Sequence, residues 1–154
     1  MAAWQALDEE QVLRAAQELL SASRLLATPA QEAAAALGWT VTDFTRRSGL
    51  LDSGYGLGPY SAYFAIDRQG RLEEVILNIC ERIPGSSPEI DAFKQDTFAA
   101  AASVMTGVYG KPTDLQPGKE PELWWDQGEV TLRLITTQDT VALQITPTEL
   151  LQEI

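Results

Sequence analysis

Any chemistry in this chain falls to carboxylates, one thiol, and hydroxyl, amine and aromatic side chains, because its 154 residues include no histidine. Ser-His-Asp and Cys-His arrangements, His-containing zinc sites and histidine proton relays are therefore excluded. The carboxylate candidates are Glu73 with Glu74 and Glu120 with Glu122. A general acid and base need two carboxyl groups in contrasting environments inside a cleft, and no spacing in this sequence implies one. Charged turns and strand edges account for these pairs, so no catalytic residue is assigned and the protein is expected not to be an enzyme. Cys80 is the single cysteine, which rules out an intramolecular disulfide, and without a histidine to activate it the thiol reads as a small core residue. No metal-ligating or cofactor-binding residues are assigned.

Two aromatic and glycine features invite a binding reading. Gly54-Tyr55-Gly56-Leu57-Gly58-Pro59 has the composition of a phosphate loop, but such a loop leads into a helix. Here Pro59 leads into aromatic and β-preferring residues, so the segment reads as a turn-forming loop, with ligand contact as the alternative. Trp124 and Trp125 are adjacent in an expected strand, so their side chains point to opposite faces. Either one ring joins the core and the other stays partly exposed, or helices on both faces bury the two. An exposed Trp rimmed by Glu120, Glu122, Asp126 and Glu129 would suit a basic partner. The partner-contact candidates are Trp124, Trp125, Glu122, Asp126 and Glu129, together with Tyr55 and Tyr60 around the glycine run. Arg46-Arg47 is the one local basic pair and reads as a solvated loop.

The elements that must position these residues follow from periodicity. Asp8 and Gln11 form a capping-box signature ahead of Val12, Leu13, Ala16, Leu19 and Leu20, which predicts a helix to about Ser23. Thr28, Pro29 and Gln31 predict a second start, and Gly38 a stop, for a short helix over Pro29 to Leu37. Strands are expected over 39–44, briefly over 49–52, then over 60–66 and 72–79, the last apolar enough to be central. Asp67-Arg68-Gln69-Gly70 supplies a hairpin turn.

After Pro84-Gly85-Ser86-Ser87-Pro88 a long helix runs to Gly110, with a stripe of Ile90, Phe93, Thr97, Phe98, Ala101, Val104, Met105 and Val108. A polar loop through Gly118 precedes strands over 123–125, 130–134 and 141–145, and the tail from Pro147 to Ile154 adds a helical turn. Short connections favour antiparallel hairpins. The fold class is α+β, a single domain over 1–154, with a mainly antiparallel sheet of about six strands, two N-terminal helices and one long helix packed on the sheet.

With 22 acidic against 11 basic residues, the net charge of −11 disfavours nucleic acid and anionic membrane surfaces and favours encounter with a basic protein. Nothing reaches the length of a membrane-spanning apolar run, and Met1-Ala2-Ala3-Trp4 lacks the order of a signal peptide, so a cytoplasmic protein is expected.

Four segments carry a resemblance: Ala36-Leu37-Gly38-Trp39, Leu51-Asp52-Ser53-Gly54-Tyr55-Gly56, Gly110-Lys111-Pro112-Thr113, and Trp124-Trp125 before Thr131-Leu132-Arg133-Leu134. They resemble an uncharacterised family of small acidic bacterial proteins that look like immunity partners of secreted polymorphic toxins. The resemblance implies a non-catalytic protein that neutralises a basic toxin domain by protein–protein interaction. The alternatives are a chaperone for a secreted effector and a small-ligand-binding domain.

Overall fold

The structure, a computed structural model, describes residues 4–152. The Met1-Ala2-Ala3 start and the last two positions of the tail lie outside that range. Helix α1, Glu9–Ala22, begins with the expected capping box: Asp8 Oδ1 accepts from the Gln11 amide at 2.9 Å and Gln11 Oε1 from the Asp8 amide at 3.0 Å. Helix α2, Ala30–Leu37, starts one residue later than the sequence predicts. The Thr28 hydroxyl donates to the Leu25 carbonyl at 2.6 Å instead of capping, which leaves Pro29 as the cap residue and no side-chain cap on α2. Gly38, at φ 72°, ends α2 in the left-handed conformation that glycine adopts without strain.

The remaining chain builds one antiparallel sheet of eight strands, not about six: β1 Thr40–Phe44, β2 Ser48–Asp52, β3 Ala62–Ile66, β4 Leu72–Asn78, β5 Asp114–Gln116, β6 Glu122–Asp126, β7 Val130–Thr136 and β8 Val141–Pro147. Their order is β1-β2-β3-β4-β8-β7-β6-β5, two four-stranded meanders joined where β4 pairs with β8. Strand β4 is thus central, as its apolar run implies. The strand missing from the sequence reading is β5. Its three residues are all exposed and show no apolar alternation, and backbone pairing to β6 alone defines it.

Helix α3, Pro88–Tyr109, connects the meanders, with Ser87 Oγ accepting from the Ile90 amide at 3.1 Å as its cap. Its stripe is narrower than expected: Ala101 and Met105 are fully buried, while Val108 is 55% exposed. A fourth helix, α4, Thr148–Gln152, follows β8 directly.

Helices α1, α2 and α3 share one apolar core with one face of the sheet. Val12, Leu19, Ala33, Ala34, Ala101 and Met105 meet Leu51, Phe64, Val75, Leu77, Trp125, Leu132, Leu134, Leu143 and Ile145. Burying an aliphatic side chain of this size contributes about 1.5–3 kcal/mol, so this layer dominates stability. Strand alternation sends the intervening residues to the opposite face, where α4 closes over one corner through a 2.9 Å contact between the Thr131 and Thr148 hydroxyls. No described helix is long and apolar enough to cross a membrane.

Candidate partner-binding face

Strand register aligns one row of side chains across the whole sheet. Asp114 on β5 pairs with Trp124 on β6, Trp124 with Arg133 on β7, and Arg133 with Gln144 on β8. The row continues from Gln144 to Ile76 on β4, Tyr63 on β3, Leu50 on β2 and Asp43 on β1. Its members alternate with core residues in β2, β3, β4, β6, β7 and β8, which places them on the face away from α1 and α3.

A continuous polar network fixes the middle of this face. Arg133 donates through one guanidinium nitrogen to Glu122 Oε1 at 2.7 Å and through another to Gln144 Oε1 at 3.1 Å. Gln144 in turn donates to Glu74 Oε2. The Trp124 indole N–H donates to Glu122 Oε1 at 2.9 Å, and the Arg133 guanidinium lies 5.2 Å from the Trp124 ring centre. Four strands are thereby tied by side chains as well as by the backbone ladder. The Glu122–Arg133 pair is well shielded, with 24% and 15% of the side chains exposed, so its geometry is far more constrained than that of a surface ion pair. Burial pushes the Glu74 carboxyl above the usual carboxylate range, although the Arg133 charge and the Gln144 hydrogen bond pull it down. Arg133 Nε is buried without a hydrogen-bond partner.

The two tryptophans separate as strand alternation requires. Trp125 is 1% exposed, packed in the core with its indole N–H on the Gly110 carbonyl at 2.9 Å. That corrects its place among the partner-contact candidates, because a core ring cannot touch a partner. Trp124 stays partly exposed on the network face, which removes the alternative of helices burying both rings. Glu122 and Asp126, two residues to either side of Trp124, share its face. Glu129 is exposed in the turn that follows, and its carbonyl accepts from the Thr148 amide.

Tyr55 lies elsewhere. Its phenol donates to Glu18 on α1, whose other carboxylate oxygen accepts from the Trp39 indole at 3.2 Å, so Tyr55 packs against the helix layer. Tyr60 is 51% exposed just ahead of β3, with its carbonyl accepting from the side-chain Nδ2 of Asn78 at 3.4 Å. The glycine run is a turn-forming loop: the Gly54 amide donates to Asp52 Oδ1 at 2.9 Å, and Thr42 Oγ1 donates to the Pro59 carbonyl at 2.6 Å. It leads into β3 and not into a helix, so the geometry of a phosphate loop is absent.

The sequence reading missed Arg133, Gln144 and Tyr63, and dismissed Glu74. The available signal was Arg133 itself, a charged residue alternating with Leu132 and Leu134 in a strand that must be half-buried. Cys80 is fully buried, its thiol 3.4 Å from Thr140 Oγ1, and burial raises its pKa, as a core residue's should be. Among the described residues no group of three or more Cys, Asp or Glu side chains is placed to hold a metal ion.

A model for a family of unknown function, DUF6301, matches residues 25–147, and the chain belongs to that family. All four segments behind the sequence resemblance lie within this match. The crystal structure of a DUF4309 family protein, YjgB, from Bacillus subtilis is similar in fold, with a TM-score of 0.52 and 15% identity over 91% of this chain and 97% of that one. No curated protein sequence matches the chain.

Proposed function

We propose that this member of a family without an assigned activity is a non-catalytic binding protein, and that it engages another protein through the sheet face that carries Trp124. The single observation behind this reading is the transverse row, in which a partly exposed Trp124 and Tyr63 flank a fixed Arg133–Gln144 centre. An aromatic anchor held in place by hydrogen bonds loses little entropy on binding, which is what an interface centre requires. Glu122, Asp126 and Asp114 lie beside Trp124, so the rim suits a basic surface and the overall charge would speed its approach.

Within that reading, the role we favour is the cytoplasmic immunity protein of a basic secreted toxin domain. The chaperone alternative would use a sheet edge, and both edges are poor templates. Strand β1 is interrupted by a bulge between Val41 and Asp43, and β5 has three residues beginning with Asp114.

The test is affinity capture of a basic partner by the full chain, repeated with Trp124→Ala and Glu122→Arg and at raised salt. A partner held by the native chain, weakened by salt and lost from both variants, supports the assignment. Equal recovery by all three proteins would remove the Trp124 face from consideration.

A further inference from the structure

The chain carries 11 basic residues against 22 acidic ones, yet three arginines without a carboxylate partner converge at one end of the first meander. Arg46 and Arg47 occupy the β1–β2 turn and Arg68 the β3–β4 turn. The two turns are adjacent because the Ile66 amide donates to the Arg47 carbonyl at 3.0 Å and Ser48 pairs with Ala65. Arg46, Arg47 and Arg68 are the residues lining a hollow of about 410 Å³. Among the described residues the ion pairs involve Arg14, Arg71, Arg82 and Arg133, and none of these three. The carboxylate next in sequence, Asp67, is already engaged by the Gln69 and Arg71 amides and the Arg71 guanidinium. Arg47 Nε donates to the Ile66 carbonyl at 3.0 Å, which holds that guanidinium in place while leaving its terminal nitrogens free to donate.

We propose that these arginines bind the phosphate group of a small phosphorylated molecule. Three guanidiniums around one hollow repel one another unless an anion joins them, and their planar forks match the oxygens of a phosphate. A neighbouring cleft of about 640 Å³ shares Arg46 and Arg68 and is lined also by Phe44, Ile66 and Pro29. It offers an apolar wall to the body of the ligand. The uncapped start of α2, at Pro29 to Gln31, borders the same cleft and adds favourable dipole potential, although the arginines carry the argument. The net negative charge does not forbid this, because screening over about 8 Å at physiological salt lets the local cluster outweigh distant carboxylates. The site lies on the opposite half of the sheet from Trp124, and the proposal does not depend on the partner-binding reading.

The test titrates inorganic phosphate and phenyl phosphate into the full chain while following the arginine Nε–H resonances, with Arg68→Gln and the triple Arg46→Gln/Arg47→Gln/Arg68→Gln variant as comparisons. Saturable shifts, tighter for phenyl phosphate and weakened about tenfold by Arg68→Gln, are the expected result. Vesicles of phosphatidylcholine with and without phosphatidic acid distinguish the sources of the phosphate. Arginine-dependent retention on the phosphatidic acid vesicles identifies a lipid headgroup, and phenyl phosphate binding without retention identifies a soluble ligand. Either result supports the site. Absence of saturable binding to every probe, or equal binding by the triple variant, overturns it.

Discussion

Arg133 and Trp124 face each other across β7 and β6, with the guanidinium 5.2 Å from the ring centre and both side chains bonded to the same oxygen of Glu122. The arrangement makes Arg133 the keystone of the exposed face. It supplies the cation for the ring, the counter-charge for Glu122 and a donor to Gln144. Arg133→Met leaves Glu122 shielded without its partner, and the expected loss is about 3 kcal/mol in chemical unfolding. Arg133→Lys does not restore it, since a compact ammonium cannot span Glu122 and Gln144 as a planar fork does. Adding Glu122→Gln to Arg133→Met recovers part of the loss, because the stranded charge is gone.

The tryptophan pair gives a sharper contrast. Trp125→Ala empties a fully buried site and costs about 3–5 kcal/mol. Trp124→Ala removes a partly exposed ring and its cation–π contact, for about 1 kcal/mol. Thermal unfolding of the two variants separates them, and on the proposed binding role partner capture should invert the order, with the folded Trp124 variant losing it.

Much of this face was legible in the sequence through alternation. The adjacent tryptophans had to part, and Glu122 and Asp126 had to share the face of Trp124, because side chains in a strand repeat every two residues. The capping box at Asp8, the Gly38 stop and the central place of β4 came from equally local signals. The row joining Trp124 to Tyr63 was not legible, since it depends on β4 pairing with β8 across 70 residues of separation between Glu74 and Gln144. The contact of Tyr55 was not legible for the same reason: its partner Glu18 lies on α1, and nothing local announces that contact. The arginine hollow needs two turns brought together by pairing, so Arg46-Arg47 alone read as solvated loop.

Stability should depend on pH through Glu74. Its carboxyl is held above the usual range by burial, so between the unfolded and folded pKa values the folded state keeps a proton that the unfolded state releases. Stability from this group is therefore full in acid and falls as pH rises through that window. Glu74→Gln removes the dependence while keeping an acceptor for Gln144. The variant should be relatively more stable at neutral pH than in acid when both proteins are followed by urea midpoints across that range.

Phe44 on β1 lies over Gly49, its cross-strand partner on β2, and an added methyl at Gly49 would overlap the ring at Cε1 and Cδ1. Gly49 has an ordinary strand backbone, so the constraint is the ring and not the dihedral. Gly49→Ala should cost about 1–3 kcal/mol by displacing Phe44 from Phe64. The double variant Gly49→Ala with Phe44→Leu should cost less than the sum of the two, as a thermal-unfolding cycle would show.

The glycine loop should be governed from α1. Glu18 accepts from both the Tyr55 phenol and the Trp39 indole, so one carboxylate joins the loop after β2, the residue before β1 and the middle of α1. Hydrogen bonds to a charged acceptor contribute about 1.5–3 kcal/mol, and Glu18→Ala removes two at once. Because Gly54, Gly56 and Gly58 all take positive φ, the freed segment regains a large backbone entropy, and loosening should concentrate there. Amide exchange should therefore rise over 53–58 in Glu18→Ala while β4 and β8 retain their protection. Tyr55→Phe should reproduce the loop effect without disturbing Trp39. Uniform acceleration across the sheet would show instead that Glu18 supports the global fold.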